Sequence, residues 1–155
     1  MRLYRLFLVI ALFSFSACSS DRHIEQAQPS DIRYTELLKE MFTEMVEQKK
    51  ANLIPYYYHR DLIIYTNGKE FDYETFLEQH QNLYTTSIQY EVAYNDEAFV
   101  EDGEKVAGIV YITTNRPEEE PKEIEVILIV QYKENKIYRI WELTWPDWSK
   151  LPAFK

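Results

Sequence analysis

The chain holds one cysteine, Cys18, among its 155 residues. A lone cysteine excludes an intramolecular disulfide and leaves too few thiols for a cysteine-based zinc site. Glycine is almost as scarce, with Gly68, Gly103 and Gly108 only. No glycine-rich loop that cradles phosphate is present, so the common nucleotide-binding signatures are excluded. The three histidines, His23, His59 and His80, lie far apart, and no two share the i, i+4 spacing of a helical metal pair. No metal and no cofactor is expected. Positive charge is in deficit: 17 Lys and Arg against 26 Asp and Glu give a net charge of −9. An acidic surface repels phosphate backbones, so nucleic acid is not an expected partner.

The N-terminus carries what the rest lacks, a long apolar run. Arg2 and Arg5 precede Leu6 to Phe15, which is broken only by Ser14. The run is too short to span a bilayer as a stable helix, but it suits the core of an export signal. Ser16-Ala17-Cys18 follows and resembles the lipobox of bacterial lipoproteins, with Phe15 where leucine is usual. That resemblance implies that residues 1–17 are a signal peptide, that Cys18 becomes a lipidated N-terminus and that acyl chains hold the protein on a membrane. Removing residues 1–17 makes the chain more acidic still. Ser19 after the cysteine points to the periplasmic face of the outer membrane if the host has two membranes. The alternative is an ordinary secretory signal with Cys18 incidental. Residues 18–30 are polar, lack periodicity and read as a tether. Residues 31–155 suit one domain.

Within that domain, Leu38, Met41, Phe42 and Met45 recur at the spacing of one helix face. Ser30 or Asp31 is the expected cap, and Lys49-Lys50 the expected end. Asn52 and Pro55 suit the start of a second, short helix. Leu62 to Thr66 is β-branched and aromatic, and Asn67-Gly68 turns the chain. Residues 72–84 are helical again, with Phe76, Leu77, His80 and Tyr84 along one side. The remainder reads as sheet: 87–100 with a kink at Asn95-Asp96, then 106–114, a charged loop at 115–122, and two strands at 124–132 and 137–145 joined at Glu134-Asn135. Short connections favour an antiparallel meander.

This order of elements resembles the NTF2-like superfamily, including its SnoaL-like branch. Tyr57-Tyr58-His59-Arg60-Asp61-Leu62 is similar to that family's lead-in to the first strand. Lys136-Ile137 through Glu142 to Trp145-Pro146-Asp147 is similar to its last strand and exit. The resemblance covers about residues 31–150. It implies an α+β cone, in which a curved antiparallel sheet wraps about three N-terminal helices and encloses a pocket. Family members include isomerases, cyclases, epoxide hydrolases and non-catalytic domains, so the fold selects no function.

By analogy with the family's enzymes, Glu142 faces the pocket as a candidate general acid or base, with Tyr58 and His80 orienting or polarising a substrate. Tyr57, His59, Asp61, Tyr65, Tyr84, Tyr138 and Ile140 are the expected further lining residues. The competing reading of His59 and Asp61 is a helix–strand junction that satisfies local backbone groups. Glu142 could equally serve a structural hydrogen-bond network. Two family features are missing. No Arg-x-Asp pair stands on a neighbouring strand, and Tyr65-Thr66-Asn67 has no acid where the isomerases place one. Alternation along 137–145 puts Tyr138, Ile140, Glu142 and Thr144 on one face and Ile137, Arg139, Trp141, Leu143 and Trp145 on the other. A convex face bearing Trp141, Leu143 and Trp145 suits a homodimer, with carbohydrate stacking as a weaker reading; alternatively, residues 145–148 fold back to cap the cone. Three functions stay open: a module for a small apolar ligand or envelope partner, a cofactor-free isomerase, cyclase or hydratase, and a structural subunit.

Overall fold

The computed structural model describes residues 33–151. The expected signal peptide, Cys18, the whole tether and the caps at Ser30 and Asp31 lie outside the described residues.

Helix α1 spans Tyr34–Met41 and runs straight into a π-helical segment, Phe42–Glu47. Leu38, Met41, Phe42 and Met45 are all buried, as their spacing predicts. A single 3₁₀ turn, Ala51–Leu53, leads into α2, Ile54–Tyr57, with Pro55 in the first turn. Strand β1 (Tyr58–Thr66) and strand β2 (Lys69–Asp72) form a hairpin across Asn67-Gly68, both of which have positive φ. That tight turn with two left-handed residues is what an Asn-Gly pair permits. Helix α3, Tyr73–Tyr84, starts at Asp72, whose carboxylate accepts the Thr75 N–H at 2.9 Å.

The meander follows as β3 (Gln89–Tyr94), β4 (Val100–Asp102), β5 (Lys105–Asn115), β6 (Lys122–Lys133) and β7 (Lys136–Trp145). The kink falls at a 3₁₀ turn, Asp96–Ala98. The seven strands form one curved sheet in the order β2-β1-β7-β6-β5-β3, with β4 pairing β5. Within the meander every pairing is antiparallel, but β1 lies parallel to β7. The sheet is therefore mixed, not wholly antiparallel. The chain reaches β7 from β1 only after α3 and five further strands, and such a long connection allows a parallel pairing.

Two bulges matter for the site. Between β6 and β7, Gln131 pairs Arg139 while Tyr132 pairs Ile137, so Tyr138 is an extra residue. Between β1 and β7, Tyr58 pairs Ile137 while Ile63 pairs Arg139, so residues 59–61 arch away from the ladder. A bulge breaks the two-residue side-chain period. Ile137 accordingly turns inward and is buried, whereas Arg60 and Asp61 are exposed. The core sits between the concave face of the sheet and the helices. Tyr132 stacks on Tyr34 at 4.4 Å and donates its hydroxyl to the Tyr34 carbonyl, tying β6 to α1.

Candidate functional site

A cavity of about 510 Å³ lies between the concave face and the helices. Its walls are mainly apolar: Leu38, Met41, Phe42 and Met45 from the first helical segment, Val126, Leu128 and Val130 from β6, and Ile140 from β7. A cavity of this size, with few polar groups, matches the usual form of small-molecule sites. Among the described lining residues, Glu142 and Arg116 carry formal charge.

Glu142 reaches the cavity because β7 returns to strict alternation after the Tyr138 bulge, so Ile140, Glu142 and Thr144 all point inward. Glu142 pairs laterally with Thr66 of β1 and Leu128 of β6. It keeps some accessible surface, but that surface is cavity wall and not bulk solvent. Burial disfavours its charged form and raises the carboxyl above its ordinary pKa, against a smaller opposing hydrogen bond from Thr66. The Thr66 hydroxyl in turn accepts the Trp148 indole N–H at 3.4 Å. Trp148, on a 3₁₀ turn after β7, thus folds back over the cavity, whereas Trp145 is exposed.

His80 lines the same cavity from α3. Its Nδ1 lies 2.9 Å from the Phe76 carbonyl, which can only accept, so Nδ1 carries the proton and Nε2 is left as an acceptor. Burial lowers its pKa to about 4, outweighing the carbonyl contact. Tyr58 is buried, donates to the Met41 sulfur at 3.4 Å and is held neutral by desolvation. A chain of rings continues from Tyr58 through Phe76 and His80 to Tyr84 and Tyr90. Desolvation also raises the phenols of Tyr84 and Tyr90. The cavity therefore offers a carboxyl biased toward its neutral form, a neutral imidazole and neutral phenols. These groups donate or accept hydrogen bonds and can pass protons.

Of the residues expected at the site, Glu142, His80, Tyr58, Tyr84 and Ile140 meet at this cavity. Five others do not, and each has a local reason. Tyr57 is buried below α1, donating its hydroxyl to Glu40 at 3.0 Å. Tyr65 falls on the opposite side of β1 from Thr66 and stacks on Trp141 of the convex face, 6.0 Å between centroids. His59 and Asp61 ride the β1 bulge: the Asp61 N–H donates to His59 Nδ1 at 3.0 Å, and Glu134 faces the other ring nitrogen at 3.8 Å. Tyr138 sits on its own bulge between Arg139 and His59. These residues form a surface cluster at the helix–strand junction, and Arg139 clamps it by donating to the Asp61 carbonyl at 2.6 Å.

The sequence reading did not single out Thr66, Tyr90, Arg116 and Trp148 as site residues. Alternation already hints at Tyr90 and Thr66, but Trp148 and Arg116 lie in connections without a period. Asn67, in the stretch Tyr65-Thr66-Asn67 that lacks the acid expected from the resemblance to the isomerases, has a clamping role here. Its amide nitrogen donates to Thr144 at 2.7 Å and to Asp147 at 3.1 Å, and its oxygen accepts the Thr144 N–H at 3.0 Å. Among the described residues, no three His, Cys, Asp or Glu side chains converge as metal ligands would.

The helices, the curved sheet and the cavity between them resemble those of solved structures. The fold is an NTF2-like cone. An NTF2-like protein of unknown function from Cytophaga hutchinsonii superposes with a TM-score of 0.55 at 14% identity, covering 73% of this chain and 90% of that one. IdmH from Streptomyces antibioticus, a candidate polyketide cyclase, gives a TM-score of 0.59 at 14% identity over 73% of this chain and 92% of that one. An epoxide hydrolase of the LEH-like type from M. tuberculosis gives 0.59 at 12% identity, over 71% and 83% respectively. No protein-family model and no curated protein matches the chain. At such low identity the NTF2-like likeness is one of fold, and function has to be read from the cavity itself.

Proposed function

We propose that this NTF2-like domain binds a small, largely apolar molecule inside the cone, with Glu142 as a polar anchor. The observation that carries the reading is the single carboxyl on an apolar wall, held by Thr66 and biased toward its neutral form. A buried carboxyl accepts hydrogen bonds in either protonation state and also donates when protonated, so it can fix the orientation of a ligand oxygen. Solved structures of the same fold include candidate cyclases and an epoxide hydrolase, which supports a ligand-filled cone. The test is a titration with decanol followed by methyl NMR. Shifts at Val126, Leu128 and Ile140 are expected. Shifts confined to Ile127, Ile129 and Leu143, on the outer face, would overturn the reading.

A second reading is a cofactor-free isomerase, cyclase or hydratase using Glu142 as general acid or base. Its support is that Glu142 and His80 share one cavity and that burial shifts both. An enzyme predicts that Glu142→Gln abolishes turnover of a bound substrate while leaving its binding within a few-fold. A module predicts that no turnover is there to lose.

The protein is further proposed to be exported and lipid-anchored through Cys18. The support is the apolar run ending at Ser16-Ala17-Cys18. Cys18→Ala should move it from the membrane to the soluble fraction, and an unchanged distribution would exclude the anchor.

A further inference from the structure

The polar groups of the cavity are segregated along the sheet. Glu142 pairs Leu128 on β6, whereas Tyr90 pairs Thr114, whose own partner on β6 is Lys122. About six residues of β6 separate these levels, roughly 20 Å at 3.3 Å per residue. At the Tyr90 level the cavity is lined by Tyr90, Thr114 and Arg116, with Tyr84 of α3 against Tyr90 at 6.0 Å between ring centroids. Tyr84 and Tyr90 are each only 8% exposed, and neither hydroxyl has a hydrogen-bonding partner among the described residues. Buried polar groups in native proteins are nearly always paired, so two adjacent orphans on residues that line one cavity mark where a ligand's polar atoms belong. The Arg116 guanidinium lines the same cavity, acts electrostatically on Tyr90 and also faces Glu119 at 3.8 Å. Two unpartnered donors beside a cation fit an anionic oxygen group, because hydrogen bonds to an ionised acceptor are the stronger kind. The wall that leads away from them, through Ile112, Ile124 and Val126, is aliphatic.

We propose that the ligand is an amphiphilic carboxylate, whose head accepts hydrogen bonds from the Tyr84 and Tyr90 hydroxyls beside Arg116 and whose aliphatic body runs toward Glu142. This rests on the cavity being the ligand site. Calorimetry with decanoate and decanol on the full-length protein separates the two claims. Decanoate is expected to bind at least tenfold tighter. Tyr84→Phe/Tyr90→Phe removes most of that preference, keeps decanol binding, and melts at or above the wild-type temperature, because the lost hydroxyls have no partner among the described residues. Arg116→Gln likewise weakens decanoate about tenfold and leaves decanol unchanged. Equal affinity for the two probes, an undiminished preference in both variants, or a lower melting temperature for the double Phe variant would overturn the carboxylate assignment. Failure of both probes to bind would instead overturn the cavity reading itself.

Discussion

Glu142 and His80 face the same cavity, and burial moves their proton affinities so that both lean neutral. The consequences for stability have opposite signs. Glu142 binds its proton more tightly in the folded state, so it destabilises the fold as pH rises from the unfolded carboxyl range through its folded pKa. Glu142→Gln is expected to melt higher than wild type at pH 7, with the gap closing below about pH 4.3, where the unfolded carboxyl is also protonated. Thermal melts across pH check this. His80 binds its proton less tightly when folded, so wild type loses stability as pH falls from about 6.5 to about 4, by at most roughly 3 kcal/mol. His80→Phe should remove that loss, and urea midpoints measured at pH 7 and pH 4.5 that fall equally in both proteins would contradict it. Glu142 was legible because the strand alternates and the resembling enzymes carry a pocket-facing acid at that place in it. Tyr138, His59 and Asp61 were not, because nothing local marks a bulge until the strands are paired.

At the scale of elements, the start of α1 shows how a distant strand completes a helix. Arg33 precedes the helix and makes no side-chain cap. Glu101 of β4 takes that role: its carboxylate accepts the Tyr34 and Thr35 N–H groups, both at 2.9 Å, and the Thr35 hydroxyl at 2.7 Å. Burial alone would raise the Glu101 pKa, but these hydrogen bonds outweigh it and the net shift is downward. The stabilisation is therefore present above the unfolded carboxyl pKa and fades as pH falls through the folded one. Glu101→Ala should cost about 1–2 kcal/mol at pH 7, as the loss of a cap does, and less in acid. Chemical denaturation at two pH values measures it. The helix itself was legible from Leu38, Met41, Phe42 and Met45. Its cap was not, since Glu101 is 67 residues from Tyr34.

For the molecule as a whole, the feature that the cone leaves without a partner is its convex face. Trp145 is 79% exposed, Leu143 64% and Ile127 48%, all on the central strands β6 and β7. Trp141 and Ile129 lie opposite each other beside them, so the patch is continuous. A second copy of the chain is the proposed cover, because a largely apolar patch can pack against its own copy about a two-fold axis. Light scattering of the soluble domain should report a dimer, and Leu143→Asp a monomer with its cavity intact. With a net charge of −9 on each chain, added salt should strengthen the dimer by screening repulsion. A monomer at all salt concentrations would remove the proposal.

The sequence by itself determined the helix faces, the Asn67-Gly68 and Glu134-Asn135 turns and the alternation of the last strand, because hydrophobic period and turn chemistry are local properties; the class of fold and the inward aim of Glu142 followed from the resemblance to the NTF2-like superfamily. Only the tertiary structure decided which polar residues share the cavity. That depends on strand register, on two bulges and on contacts between segments far apart in the chain, and none of these leaves a mark on the residues nearby. The parallel alignment of β1 with β7, the Glu101 cap and the meeting of Tyr84, Tyr90 and Arg116 are all of this kind.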